Sequence, residues 1–168
     1  MSEEGLIKTS ELSPQATAAT DTMFATFRLH GHLIALGDRM VQPFNLTSAR
    51  WQVMGSIVLS ESDVTVPQIA RNLGLSRQAV QRVANDLNTA DLVIFDDNPH
   101  HKRAKLIRLT QAGEKTYRQA DKVYAQWANK AFAGLPPAQL REAITLLEAL
   151  DALCRDYLDT PPSPMEGK

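Results

Sequence analysis

Gly74 stands where two apolar periodicities meet, and it prevents them from being one helix. Before it runs Val64-Thr65-Val66-Pro67-Gln68-Ile69-Ala70-Arg71-Asn72-Leu73. Thr65 followed three residues later by Gln68 is a capping box, which satisfies backbone N–H groups that a first helical turn leaves open. Pro67 falls in that first turn, where its missing N–H costs nothing. Ile69, Ala70 and Leu73 then give a short helix one inward face. Gly74 ends it, because a left-handed residue after a helix is taken without penalty only by glycine. Ser76 caps a second helix, from Arg77 to about Ala90, whose inward stripe is Val80, Val83, Ala84 and Leu87. Helices this short are marginal in water, so the two must pack against each other and against something further. Their spacing predicts a helix-turn-helix.

After Asp91 the period changes. Leu92-Val93-Ile94-Phe95 and Ala104-Lys105-Leu106-Ile107-Arg108-Leu109 read as strands, joined by the polar turn from Asp96 to Arg103. The hairpin follows the second helix directly, so the sequence predicts a helix-turn-helix with a wing. The outward face of the second helix carries Ser76, Arg77, Gln78, Gln81, Arg82 and Asn85. Arginine forks onto the acceptors of guanine, and glutamine or asparagine does the same for adenine. A polar helix face that merely meets water is the plain alternative, but such faces mix charge signs, and here no acid precedes Asp86. Lys102 and Arg103 at the turn suit phosphate or a narrow minor groove. From Val64 to Thr110 the basic residues Arg71, Arg77, Arg82, Lys102, Arg103, Lys105 and Arg108 outnumber Asp86, Asp91, Asp96 and Asp97, for a local charge of +3 in a chain of net charge −1. A basic module in an acidic frame fits a partner such as double-stranded DNA.

The remainder reads as a frame for that module. Residues 1–13 and 159–168 are polar or proline-rich and are expected to be flexible tails. Residues 14–45 are read as an N-terminal dimerisation helix, with Met23, Phe24, Phe27, Ile34 and Leu36 at helical spacing before the break at Pro43-Phe44-Asn45-Leu46. The winged module spans 46–110; Thr47 caps its first helix, which carries Trp51, Met54, Ile57 and Val58 and closes at Glu61-Ser62-Asp63. Residues 111–158 hold two further helices. One has Tyr117, Ala120, Tyr124, Trp127 and Ala131, and the other Leu140, Ala143, Leu147, Leu150, Cys154 and Tyr157, all at steps of threes and fours. That seam needs a lengthwise partner, and a second copy of the chain is the economical one. Mainly helical structure with a small β-hairpin wing is therefore the expected fold class. Cys154 is the only cysteine, so no internal disulfide or cysteine metal cluster forms. The N-terminus lacks a secretory pattern and no apolar run nears the roughly 18 residues of a membrane span, which predicts a cytoplasmic protein with no membrane partner.

The run Leu73-Gly74-Leu75-Ser76-Arg77-Gln78-Ala79-Val80-Gln81-Arg82-Val83 resembles the recognition helix of the MarR family of bacterial regulators. The turn from Asp97 to Arg103 with Leu109-Thr110-Gln111-Ala112-Gly113 is similar to that family's wing and exit, and Leu46-Thr47 with Arg50-Trp51 to the start of its second helix. The resemblance spans roughly residues 21–158. It implies a dimer whose first and last helices interlock, recognition of a pseudo-palindromic operator, and often release, as from a repressor, when a small aromatic or phenolic effector binds. Such effectors often sit where the dimer helices meet the reading module, which directs attention to His30, Trp51 and Met54; core packing is the competing role for Trp51 and Met54. The chain departs from the family where an acid usually precedes the wing arginine by two residues, since His101 holds that place. Asp96, Asp97, His100 and His101 have metal-binding donors, but a polar hairpin tip accounts for them, so no metal and no other cofactor is expected. No set of nucleophile, base and oxyanion donors stands out, so an enzyme is not expected. A winged-helix protein-interaction module and a metal- or redox-sensing regulator are the alternatives.

Overall fold

A computed structural model of the chain describes residues 12–99 and 104–160. Its backbone divides into two compact units, one being Arg28–Lys130 and the other drawing on the residues before and after it. The larger unit holds the winged module. Into it runs the end of helix α1 (Pro14–Val41), followed by a short 3-10 turn at Gln42–Phe44 and helix α2 (Ser48–Val58). The turn closes on Asn45, left-handed at φ 55°, whose N–H donates to the Gln42 carbonyl at 3.0 Å. Asparagine tolerates that conformation better than most residues. α2 starts against α1. Thr47 accepts the Arg50 N–H at 3.3 Å, and the Asp38 carboxylate accepts the Ser48 N–H at 2.6 Å. A Cβ on Gly37 would stand 2.6 Å from the Ser48 hydroxyl, so glycine is what lets α1 approach this end. α2 ends at Val58, earlier than Glu61-Ser62-Asp63 predicts.

Next comes strand β1 (Val64–Thr65), which the sequence disguises as the lead-in to a helix. Thr65 ends the strand and caps helix α3 (Val66–Leu73). Gln68 reaches back to accept the Thr65 N–H at 2.8 Å and the Thr65 hydroxyl at 2.7 Å. Gly74 closes α3 at φ 64°, the left-handed conformation expected of it. Helix α4 (Arg77–Thr89) follows, capped by Ser76, whose hydroxyl oxygen accepts the Ala79 N–H at 3.1 Å. Strands β2 (Val93–Asp96) and β3 (Leu106–Leu109) complete a three-stranded antiparallel sheet in the order β1-β3-β2. Val64 lies opposite Ile107, and Val93 opposite Leu109. Ala104 and Lys105 stay outside the ladder, and Leu92 precedes it because its N–H donates to the Leu87 carbonyl at 2.9 Å.

The core of this unit draws on every element. Val53, Met54, Ile69, Val80, Ala84, Leu87, Val93 and Ile107 are all buried, joined by Val41 from α1 and by Ala120 from helix α5 (Gln111–Ala131). Each such large aliphatic side chain contributes on the order of 1.5–3 kcal/mol through removal from water. Val83 and Leu73 are half-buried beside them. The other unit is helical. Its described residues include the first half of α1 and helix α6 (Pro137–Asp159), and no residue of α6 is buried. Leu140, Ile144, Leu147, Leu153 and Tyr157 on α6 are exposed, as are Phe24 and Phe27 on α1, whose rings meet edge to face at 6.3 Å. No described helix is long and apolar enough to cross a membrane.

Candidate nucleic-acid interface and ligand cavity

α4 turns its apolar stripe inward through Val80, Ala84 and Leu87, which leaves Ser76, Arg77, Gln78, Gln81, Arg82 and Asn85 exposed together. The cap fixes the first turn while its remaining N–H groups face outward with the positive end of the helix dipole, a setting that attracts phosphate. Among the described residues neither Arg77 nor Arg82 forms an ion pair. The one acid on α4, Asp86, lies 3.9 Å from Arg50 of α2. One turn apart, Gln81 donates through Nε2 to Asn85 Oδ1 at 2.9 Å. That bond steadies both amides while leaving each a further group to offer a base edge. Beside this pair a cleft of about 300 Å³ runs to Pro67, Phe95 and Lys105. Lys105 is thus placed next to the reading face, whereas the sequence reads it as part of a strand without assigning it to that face. Lys102 and Arg103, with His100 and His101, lie outside the described residues.

The base of the wing is tied to the body by Arg108. Its guanidinium donates to both oxygens of Asp63, at 3.0 and 2.5 Å, and comes within 3.3 Å of Asp96. The hydrogen bond from Arg108 holds the Asp63 carboxyl below its ordinary pKa, and the guanidinium is held charged in return. Sequence patterns give no sign of this pair, because its members are 45 positions apart. The described residues contain no cluster of three or more potential metal ligands.

A second feature lies on the other side of α2. A cavity of about 400 Å³ is lined by Trp51, Gln52, Gly55, Ser56, Leu59 and Ser60, by Asn72 and Leu73 at the end of α3, and by Tyr117 of α5. Trp51 packs edge-on against Tyr124 at 5.4 Å, and its buried Nε1 has no hydrogen-bond partner among the described residues. Tyr117 lies over Gly55, where a Cβ would stand 3.4 Å from its hydroxyl. Burial, with the nearby Asp121 charge second, raises the Tyr117 pKa. Of the three residues singled out for an effector, the cavity takes in Trp51 alone. Met54 is fully buried in the core, and His30 is exposed on α1 and lines no cavity described here. Tyr117 and Asn72 were not legible as cavity residues, since chain folding alone brings them to α2.

Comparison with known proteins agrees with this geometry. A family model described as "MarR family" matches residues 44–104, which run from just before α2 through β2 and stop short of β3. An uncharacterised protein of Mycobacterium tuberculosis is 36% identical over 115 residues, 68% of this chain and 79% of that one. The crystal structure of the M. tuberculosis transcriptional regulator MosR in complex with DNA superposes with a TM-score of 0.67 at 23% identity, covering 79% of this chain and 97% of that one. CouR from Rhodococcus jostii, solved bound to p-coumaroyl-CoA, gives a TM-score of 0.69 at 20% identity, over 77% of this chain and 91% of that one. A capped helix-turn-helix, its wing and these relatives lead to one assignment: the chain belongs to the MarR family of transcriptional regulators and carries a DNA-binding winged helix.

Proposed function

We propose that the protein is a homodimeric, sequence-specific repressor of the cytoplasm that occupies a pseudo-palindromic operator and leaves it when a small aromatic effector binds. The observation that carries this reading is the α4 surface, where two arginines with no ion-pair partner among the described residues and a coupled amide pair stand exposed on one helix. Arg77, Gln78, Gln81, Arg82 and Asn85 would read base edges, with Ser76, Lys102 and Arg103 on phosphate or in the minor groove. Two copies are favoured by α6, which offers a row of apolar side chains and buries none of them within one chain. DNA in the MosR complex and p-coumaroyl-CoA in CouR are consistent with the two kinds of ligand. For the effector, the cavity beside Trp51 is the site supported here, rather than His30 or Met54.

Selection of bound genomic fragments, followed by titration of the enriched site, tests the proposal. Affinity should fall steeply with salt as counterions are released. Arg82→Ala should cost about 1–3 kcal/mol and relax preference at one base pair of each half-site. An Arg82→Ala protein with the parent's affinity and site preference would remove that residue from the reading surface.

A further inference from the structure

Gln81 and Asn85 stand one turn apart on the exposed face of α4, and the bond between them has a direction: Gln81 Nε2 donates and Asn85 Oδ1 accepts, at 2.9 Å. A side-chain amide carries one accepting oxygen and two N–H donors. With one N–H given to Asn85, Gln81 keeps its oxygen and a single N–H. Adenine shows the major groove one acceptor, N7, and one donor, the N6 amino group; guanine shows two acceptors, N7 and O6. An untethered glutamine turns its amide over freely and can point its N–H groups at guanine. Turned over here, Gln81 would set its oxygen against Asn85 Oδ1, acceptor against acceptor, and the bond would be lost. The rest of the cleft offers Nε2 no substitute. Val66, Pro67, Phe95 and Ala104 have no accepting side chain, and Lys105 only donates. Position along the helix separates the two amides as well. The N-terminal residues of a recognition helix are the ones that meet base edges, and Gln81 is one turn nearer than Asn85 to Arg77, where α4 begins.

We propose that Asn85 is a positioning residue, which holds the Gln81 amide in the setting that matches adenine and mismatches guanine at one base pair of each half-site. The proposal rests on the reading of α4 as the DNA-recognition helix. At that base pair Gln81 donates its remaining N–H to N7 and accepts the N6 amino hydrogen through Oε1. Guanine there brings O6 against Oε1, two acceptors facing each other with no proton between them. Asn85 acts through Gln81 and needs no base of its own.

The test is selection from a randomised pool of duplex DNA by the full chain and by Gln81→Ala, Asn85→Ala and Asn85→Asp, each checked for folding by circular dichroism. Both residues are exposed, so none of these variants disturbs the core. The base pair whose preference disappears in Gln81→Ala is the one that Gln81 reads. There the parent should favour adenine over guanine by about tenfold. Asn85→Ala releases the amide and should cut that preference to about threefold or less. Asn85→Asp still accepts from Gln81, so it should keep the preference even as its charge weakens binding to every sequence. Guanine at that base pair, no base pair altered by Gln81→Ala, or an undiminished adenine preference in Asn85→Ala each overturns the positioning role while DNA recognition stands. So does a preference lost as fully in Asn85→Asp as in Asn85→Ala. A parent protein that enriches no sequence at all overturns the reading of α4 itself.

Discussion

One glycine on α5 and one on α1 should respond in opposite directions to the same substitution. Gly113 is buried in the first turn of α5, where an added Cβ would run into the Leu92 carbonyl oxygen. That corner is held by three hydrogen bonds: Thr110 N–H to the Leu92 carbonyl at 3.1 Å, the Thr110 hydroxyl to the Asp91 carbonyl at 2.7 Å, and Gly113 N–H to the Thr110 hydroxyl at 2.9 Å. An alanine must push the α5 start away from Leu92. At about 1 kcal/mol for each bond, losing all three costs about 3 kcal/mol. Better helix propensity returns about 1 kcal/mol, leaving a net loss of about 2 kcal/mol. At Gly31, inside α1, a Cβ meets nothing within 4 Å. There the propensity gain stands alone, and Gly31→Ala should stabilise by roughly 0.5–1 kcal/mol. Urea unfolding at one protein concentration, followed by circular dichroism, gives both values provided the slope is unchanged. If Gly113→Ala unfolds at the parent's midpoint or above it, the close approach to Leu92 is refuted.

Three further outcomes follow from the geometry. Because Arg108 lowers the Asp63 pKa, the pair supports the fold fully above the ordinary carboxylate range near pH 3.9 and loses that support as pH falls through the lower folded value. The difference in urea midpoint between the parent and Asp63→Asn should therefore shrink in acid; a difference constant with pH would rule the pair out. Tyr117 titrates the other way: its raised pKa contributes stability below about pH 10 that is lost as pH climbs through the folded value. A late-ionising component in the phenolate absorbance should disappear in Tyr117→Phe, and its persistence would assign it to another tyrosine. Leu147→Arg, on the exposed row of α6, should shift the protein toward monomer in sedimentation and weaken operator binding, whereas an intact dimer would place the interface elsewhere.

Local chemistry made the reading head legible. Thr65 with Gln68, Gly74 and Ser76 each satisfy a nearby backbone group, so their positions announce where α3 and α4 begin and end. The stripe of Val80, Ala84 and Leu87 then fixes which face of α4 stays free. β1 was hidden because two residues show no alternation and their partners, Leu106 and Ile107, lie far along the chain. Distance in sequence also concealed Arg108 with Asp63, Asp38 with Ser48, and Tyr117 over Gly55. Met54 illustrates the limit on the cavity side. Its spacing along α2 puts it near Trp51, yet a helix turns by roughly 100° per residue, so three positions on, Met54 points into the core while Trp51 borders the cavity.

The corner at Thr110 also governs how force passes through the winged unit. Asp91 and Leu92, just past the end of α4, hold the threonine that starts α5, and Gly113 leaves no slack between them. The first turn of α5 and the residues just after α4 are therefore joined at one point, and turning either would strain the hydrogen bonds that hold the other. Tyr117, one turn further along α5, forms a wall of the cavity. Under the proposed function, a molecule that levered this tyrosine outward would pull on the joint that follows α4.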